Sequence, residues 1–306
     1  MINRVLMRMR VLQIFFAYGI RDDGNVKGAE KELLSSLGKT YDLYLFLLLL
    51  IVALSDEARI LSGRREGVTV GGKLIDLSRM LSNRFAGQLK VNVQLADFAR
   101  AHGDFWLTEH RMFVRDILKK ILGSELYDAY VTSEDGYGAD RNFWYKALKR
   151  IIIEDADFVD LAERGSIYWS DAVDLAAGYA FGTIKRFKPE SDGGHTLCPM
   201  FSQDDGSIFA TTLLRHSILG MEDHRERITG TLKNWDIGRL SRIDLNILQV
   251  ALAELLYFPT IPIAVTMSEY IDLARYFGAP KSPGFINGTL DAMVRELQSE
   301  GKLRKP

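Results

Sequence analysis

The chain has 306 residues, enough for one large domain or two of ordinary size, with the composition of a globular protein: 47% hydrophobic and 26% charged residues. Its 39 lysines and arginines face 40 acids, a net charge of −1, which excludes a surface that attracts polyanions everywhere. Any nucleic-acid contact has to come from a local patch. The single cysteine, Cys198, excludes an internal disulfide and suits a reducing cytoplasm.

In chain order, the opening stretch NRVLMRMRVLQIFFAY places Val5, Met9, Leu12 and Phe16 at i, i+4, i+7 and i+11, an apolar stripe on a helix. Arg4 and Arg8 lie together beside that stripe and Arg10 on another side. If the stripe docks inward, adjacent guanidinium groups face outward and can hold phosphates by bidentate hydrogen bonds; equally, such arginines form an ordinary solvated face. As exposed charges, Arg4 and Arg8 would contribute little to stability. No small-residue cleavage site follows an apolar core, so the segment does not read as a signal peptide.

Gly24, Asn25 and Gly28 then mark a polar break, followed by a short helix over 29–37 and a longer one over 41–60. The run LYLFLLLLIVAL, Leu43 to Leu54, has about twelve apolar residues where a bilayer needs roughly twenty, and predicts a buried core helix rather than a membrane segment. The stretch 62–72, SGRREGVTVGG, is the clearest loop, and helices follow at about 73–82, 89–101, 109–122 and 125–132. Few valines fall in alternating patterns and no Asn-Gly or Asp-Gly joins two alternating strands, so the fold is all-α. A weak repeat recurs at Phe113, Phe143 and Phe209, each opening a helix with a leucine five positions on and basic residues six and seven positions on; Trp169 and Trp235 each lie 26 residues after the second and third. It reads either as duplication of one helical unit or as the common likeness of amphipathic helices.

Several chemical signals fail on inspection. Gly67-x4-Gly72-Lys73 resembles a phosphate-binding loop but continues with Leu74, lacking the hydroxyl that holds magnesium. His195-x2-Cys198 has metal-like spacing without a second ligand pair. The acid clusters Glu154-Asp155-Asp157 and Glu222-Asp223 have no histidine–nucleophile arrangement beside them. These features predict no metal, no cofactor and no catalysis.

The stretch from Ile243 to Asp291 is the most informative. A helix bearing Ile247, Val250, Ala251, Leu252, Leu255 and Leu256 is stopped by Pro259 and Pro262. A second helix, 268–277, puts Tyr270, Ile271, Ala274 and Phe277 on one side and is closed by Gly278 in a left-handed cap. A FINGTLD box follows, in which Asn287-Gly288 shapes the backbone of a turn.

This stretch closely resembles the C-terminal part of the NusB family of bacterial transcription antitermination factors. The resemblance is carried by Ala253, Glu254, Leu255, Ile261, Pro262, Val265, Glu269, Ile271, Leu273, Ala274, Phe277, Phe285, Ile286, Asn287, Gly288, Leu290 and Asp291, with Met267-Ser268 in place of the usual Ile-Asn. The opening helix is similar to the family's arginine-rich first helix, with fewer arginines. The resemblance covers about residues 1–20 and 205–300, and the middle third is an enlargement. It implies an all-α helical bundle, with N-terminal helices over 1–60, a helical insert over 61–204 and a NusB-like module over 205–306.

Function follows as expectation. The resemblance implies a cytoplasmic, non-enzymatic factor that binds boxA-type single-stranded RNA together with a small-subunit ribosomal protein (NusE), with other Nus factors and RNA polymerase as indirect partners and no membrane. Arg4, Arg8 and Arg10 would contact RNA, with Lys281, Ser282 and Phe285 from the bend near the tail; Phe285 reads either as a stacking platform or as a core plug. Tyr18 and Glu254 would meet the protein partner, Glu254 reading otherwise as a rim carboxylate reaching solvent. The alternative is a helical scaffold of the same fold that has lost RNA binding. A fusion to an rRNA cytosine methyltransferase, found in some relatives, needs a glycine-rich cofactor loop after a strand, and no such βα pattern occurs here.

Overall fold

A computed structural model describes residues 2–22, 24–63, 68–201, 206–232 and 240–303. The chain forms two compact units: residues 1–37 with 201–306, and residues 38–200. The insert division at 60/61 and 204/205 expected from sequence differs mainly at its start, because the leucine-rich run belongs to the second unit.

In the first unit, α1 (Arg4–Arg21) is capped by Asn3, whose side chain accepts from the Leu6 amide. It packs on α11 (Gly206–Leu219) and α13 (Arg242–Tyr257). The helices α12 (Met221–Thr231), α14 (Ile263–Phe277) and α15 (Ser282–Ser299) complete the bundle around α13, which buries nearly its whole length. Pro262 precedes α14 and Pro283 lies in the first turn of α15, where a missing amide costs nothing. A short parallel bridge joins Ile2 to Phe201.

The second unit takes most of α2 (Val26–Ser62) and is otherwise built from α3 (Ser78–Leu81), α4 (Arg84–Lys90), α5 (Val93–His102), α6 (Arg111–Leu122), α7 (Glu125–Thr132), α8 (Tyr137–Ala147), α9 (Ala156–Gly165) and α10 (Val173–Arg186). Widened turns at Phe105–Glu109 and Leu148–Ile152 interrupt the helices. Leu43, Leu47, Leu48, Leu50, Ile51 and Leu54 are buried, as the apolar run requires. No helix among the described residues is long and apolar enough to cross a membrane. The indole N–H groups of Trp106 and Trp169 donate to carbonyls of α2, at Phe46 and Lys39. The buried Glu57 carboxylate is held by Arg111 and Arg115 at 3.1 and 2.7 Å.

Four local expectations change. The break at residues 38–40 does not interrupt α2, since Gly38 meets no steric obstacle and no proline is present. The stretch after residue 67 is a two-stranded hairpin, β1 (Val68–Val70) and β2 (Lys73–Ile75), which replaces the expected start of a helix at 73. Gly71 and Gly72 both have positive φ, +57° and +81°, and only glycine adopts that two-residue turn without strain. The expected helix over 89–101 is split into α4 and α5, with Asn92 capping the second by accepting from the Leu95 amide. The expected turn after 282 is the beginning of α15, so Asn287 and Gly288 are helical. The repeat phenylalanines stand on α6, α8 and α11; Trp169 is buried, and Trp235 and Gly67 lie outside the described residues.

Gly278 does not form a left-handed cap; its φ and ψ are −89° and 174°. Glycine is needed for close approach, because a Cβ would come within 2.5 Å of Ser282 Cβ and 2.6 Å of the Ala274 carbonyl oxygen. Gly278→Ala should therefore lower stability by about 1–3 kcal/mol through displacement of α15 from α14. An unchanged melting curve for the variant would contradict this.

Candidate nucleic-acid interface

The buried face of α1 is not the stripe read from spacing. Val5 is 44% exposed, while Leu6, Met7, Val11, Leu12, Ile14 and Phe15 point inward. This rotation carries Arg8 and Arg10 inward as well, at 2% and 0% exposure. Neither guanidinium faces solvent as expected. Arg10 donates to the Gln13 side chain at 2.7 Å.

Arg8 is the centre of a polar node. Its Nε and Nη2 donate to the two oxygens of Glu254 at 2.7 and 2.9 Å, a bidentate pair. Thr266 and Tyr270, one helical turn apart on α14, donate their hydroxyls to the same carboxylate at 2.9 and 3.2 Å. Glu269 approaches Arg8 from the rim at 3.4 Å. Burial lowers the Arg8 pKa, but the hydrogen bonds and charge of Glu254 outweigh it, and the net shift is upward. Burial, then the Glu254 charge, pushes the Tyr270 hydroxyl well above its ordinary range, keeping it a donor. Glu254 is fully buried. It is neither a rim carboxylate nor accessible to a protein partner, which corrects the sequence expectation.

Sequence reasoning missed the ring that supports this corner. Phe209 of α11 lies under both arginines, 5.0 Å from the Arg4 guanidinium carbon and 5.5 Å from that of Arg8. One signal was available: a carboxylate on the buried face of α13 needs a cation. Which cation could not be read from spacing.

Arg4 remains half-buried at the surface. Lys281 is exposed immediately before α15, while Ser282 is 4% exposed and packed against Gly278. Phe285 is half-buried in the first turn of α15, lining a shallow cavity of about 310 Å³ with Thr231, Leu232 and Gly288. Tyr18 is half-buried in the last turn of α1, its carbonyl accepting from the Asp22 amide. The two candidate segments stand on different helices, α1 and α15, connected through α13 and α14. No group of three or more metal-ligating side chains is assembled among the described residues.

The sequence pattern of the NusB family matches residues 201–295, which form the greater part of the first unit. Similarity also reaches whole relatives. The chain is 40% identical over 132 residues to a "Transcription antitermination protein NusB" of Geobacter sulfurreducens, spanning 42% of this chain and 87% of that protein. The chain belongs to the NusB family. A NusB of Geotalea daltonii is 38% identical over 132 residues, 43% of this chain and 88% of the relative. One of Salinibacter ruber is 37% identical over 113 residues, 36% of this chain and 71% of the relative. The remaining length of the chain is what sets it apart from these NusB relatives.

Proposed function

We propose that the chain is a non-enzymatic transcription antitermination factor that binds boxA-type single-stranded RNA together with a small-subunit ribosomal protein (NusE). The reading is carried by near-complete coverage of relatives named transcription antitermination proteins. Other Nus factors and RNA polymerase would join through that complex, in the cytoplasm. Among the candidate side chains, Arg4 and Lys281 have the exposure a phosphate contact requires, and Phe285 the partly open ring that stacking requires. Arg8 acts as a positioning residue, fixing α1 against α13 and α14 through Glu254. Tyr18 keeps a partner-facing role that Glu254 cannot have.

With few phosphate contacts, affinity for RNA alone is modest, and the partner raises it by adding contact surface. Replacing both Arg4 and Lys281 by alanine should weaken boxA binding about tenfold and reduce the salt slope by roughly 1–2, with the melting temperature within about 2 °C of the parent. A gel shift with and without the ribosomal protein reads this. The burial of Arg8 and Arg10, two of the three candidate arginines on α1, favours a second reading, a scaffold that no longer binds RNA. Absence of retardation at low salt in both samples would decide for the scaffold.

A further inference from the structure

The second unit carries a concentration of charge that the near-neutral chain conceals. The segments 141–153 and 181–189 hold seven lysines and arginines and not one of the 40 acids: Arg141, Lys146, Lys149 and Arg150, then Lys185, Arg186 and Lys188. Elsewhere in the unit, most exposed cations are paired, as in Lys73–Asp128, Lys90–Asp56, Lys119–Asp116, Lys120–Asp155 and Arg164–Asp160. None of the seven forms an ion pair among the described residues. Clustered like charges without counter-charges cost stability, so a solvated face would more economically intersperse both signs.

The cluster is assembled in space. Helices α8 and α10 pack on each other, and a cleft of about 290 Å³ between them is lined by Arg141, Asn142, Tyr145, Ile184 and Lys185. The Arg141 guanidinium is anchored, its Nη1 donating to the carbonyls of Lys185 and Phe187 at 3.1 and 2.9 Å. Beyond Tyr145, the widened turn closed by the Ile153 amide on the Leu148 carbonyl leaves Lys149 and Arg150 exposed side by side.

Aromatic rings lie within this charge. Tyr145 and Phe181 are both half-exposed and touch, with centroids 5.1 Å apart and planes inclined at 53°. Lys185 Nζ stands 5.0 Å from the Tyr145 centroid. Cations around partly open rings are what an unpaired strand needs: charge for its backbone and faces for its bases. A duplex would use the charge and not the rings.

We propose that the α8–α10 face of the inserted unit is a second nucleic-acid-binding surface, selective for single strands over duplex, with Arg141, Lys149, Arg150 and Lys185 on the phosphates and Tyr145 stacking a base. The surface belongs to the unit outside the family match and does not depend on Arg4 or Lys281.

The test uses the full chain and fluorescence anisotropy with a fluorescein-labelled oligoadenylate of about 12 nucleotides, its duplex with oligouridylate, and heparin. The triple variant Lys149→Glu, Arg150→Glu, Lys185→Glu should bind the single strand at least about tenfold more weakly near 50 mM salt, with a salt slope lower by about 2. Tyr145→Leu, which keeps an apolar contact for Phe181, should lose about tenfold on the single strand and nothing on heparin. The Arg4→Ala, Lys281→Ala variant should retain this binding, so failure at the first unit is read separately. Circular dichroism melts matching the parent exclude unfolding. Equal affinity of parent and triple variant overturns the proposal. So does equal binding of single strand and duplex with no effect of Tyr145→Leu, which would leave a general polyanion patch.

Discussion

Arg8→Ala lowers the stability of the first unit by about 3–5 kcal/mol, because it strips a bidentate cation from a fully buried carboxylate. Thr266 and Tyr270 still donate to Glu254, but two neutral hydroxyls do not balance a charge out of water. The unit's melting transition should fall by roughly 10 °C or more. Arg4→Ala, four residues earlier on the same helix, should move it by no more than about 2 °C. That contrast reverses the expectation that both arginines contribute little to stability. Glu254→Leu combined with Arg8→Met should recover part of the loss, leaving the cost of two orphaned hydroxyls. An Arg8→Ala protein that melts with the parent would show that the pair is not what joins α1 to α13.

The second large effect is an acid limb set by His224. Its ring is 3% exposed on α12, and Nδ1 has no hydrogen-bond partner among the described residues. Burial is the main cause that lowers its pKa to about 4, with His216 and Arg227 adding and Asp223 opposing. The folded chain therefore keeps the ring neutral where the unfolded chain, titrating near 6.5, already binds a proton. Stability is intact above about pH 6.5 and is lost as pH falls towards about 4, by roughly 3 kcal/mol in all. Urea titrations between these limits should show the decline, and His224→Leu should flatten it. An identical acid limb in the variant would place the titration on another group.

Much of this protein was legible in one dimension. The all-α class followed from periodicity and composition, and α6, α7 and the proline-stopped α13 lie close to where spacing put them. The FINGTLD and ALAEL segments sufficed to indicate the family. The Gly71-Gly72 hairpin was readable too, since a double-glycine turn between apolar residues has its own chemistry. It was obscured by the neighbouring charged stretch.

The sequence by itself determined that apolar residues at helical spacing would pack into bundles and that the leucine run after Tyr41 would be buried. It could not determine the rotation of α1. Val5, Met9 and Phe16 compete with Leu6, Val11 and Phe15 for the inward face, and both sets are about equally apolar. The choice was made by residues some two hundred positions away: Glu254, which needs a cation, and Phe209, which gives that cation a ring to lie on. Charge burial is tolerable only when the partner is already in place, and that condition exists only in the assembled fold.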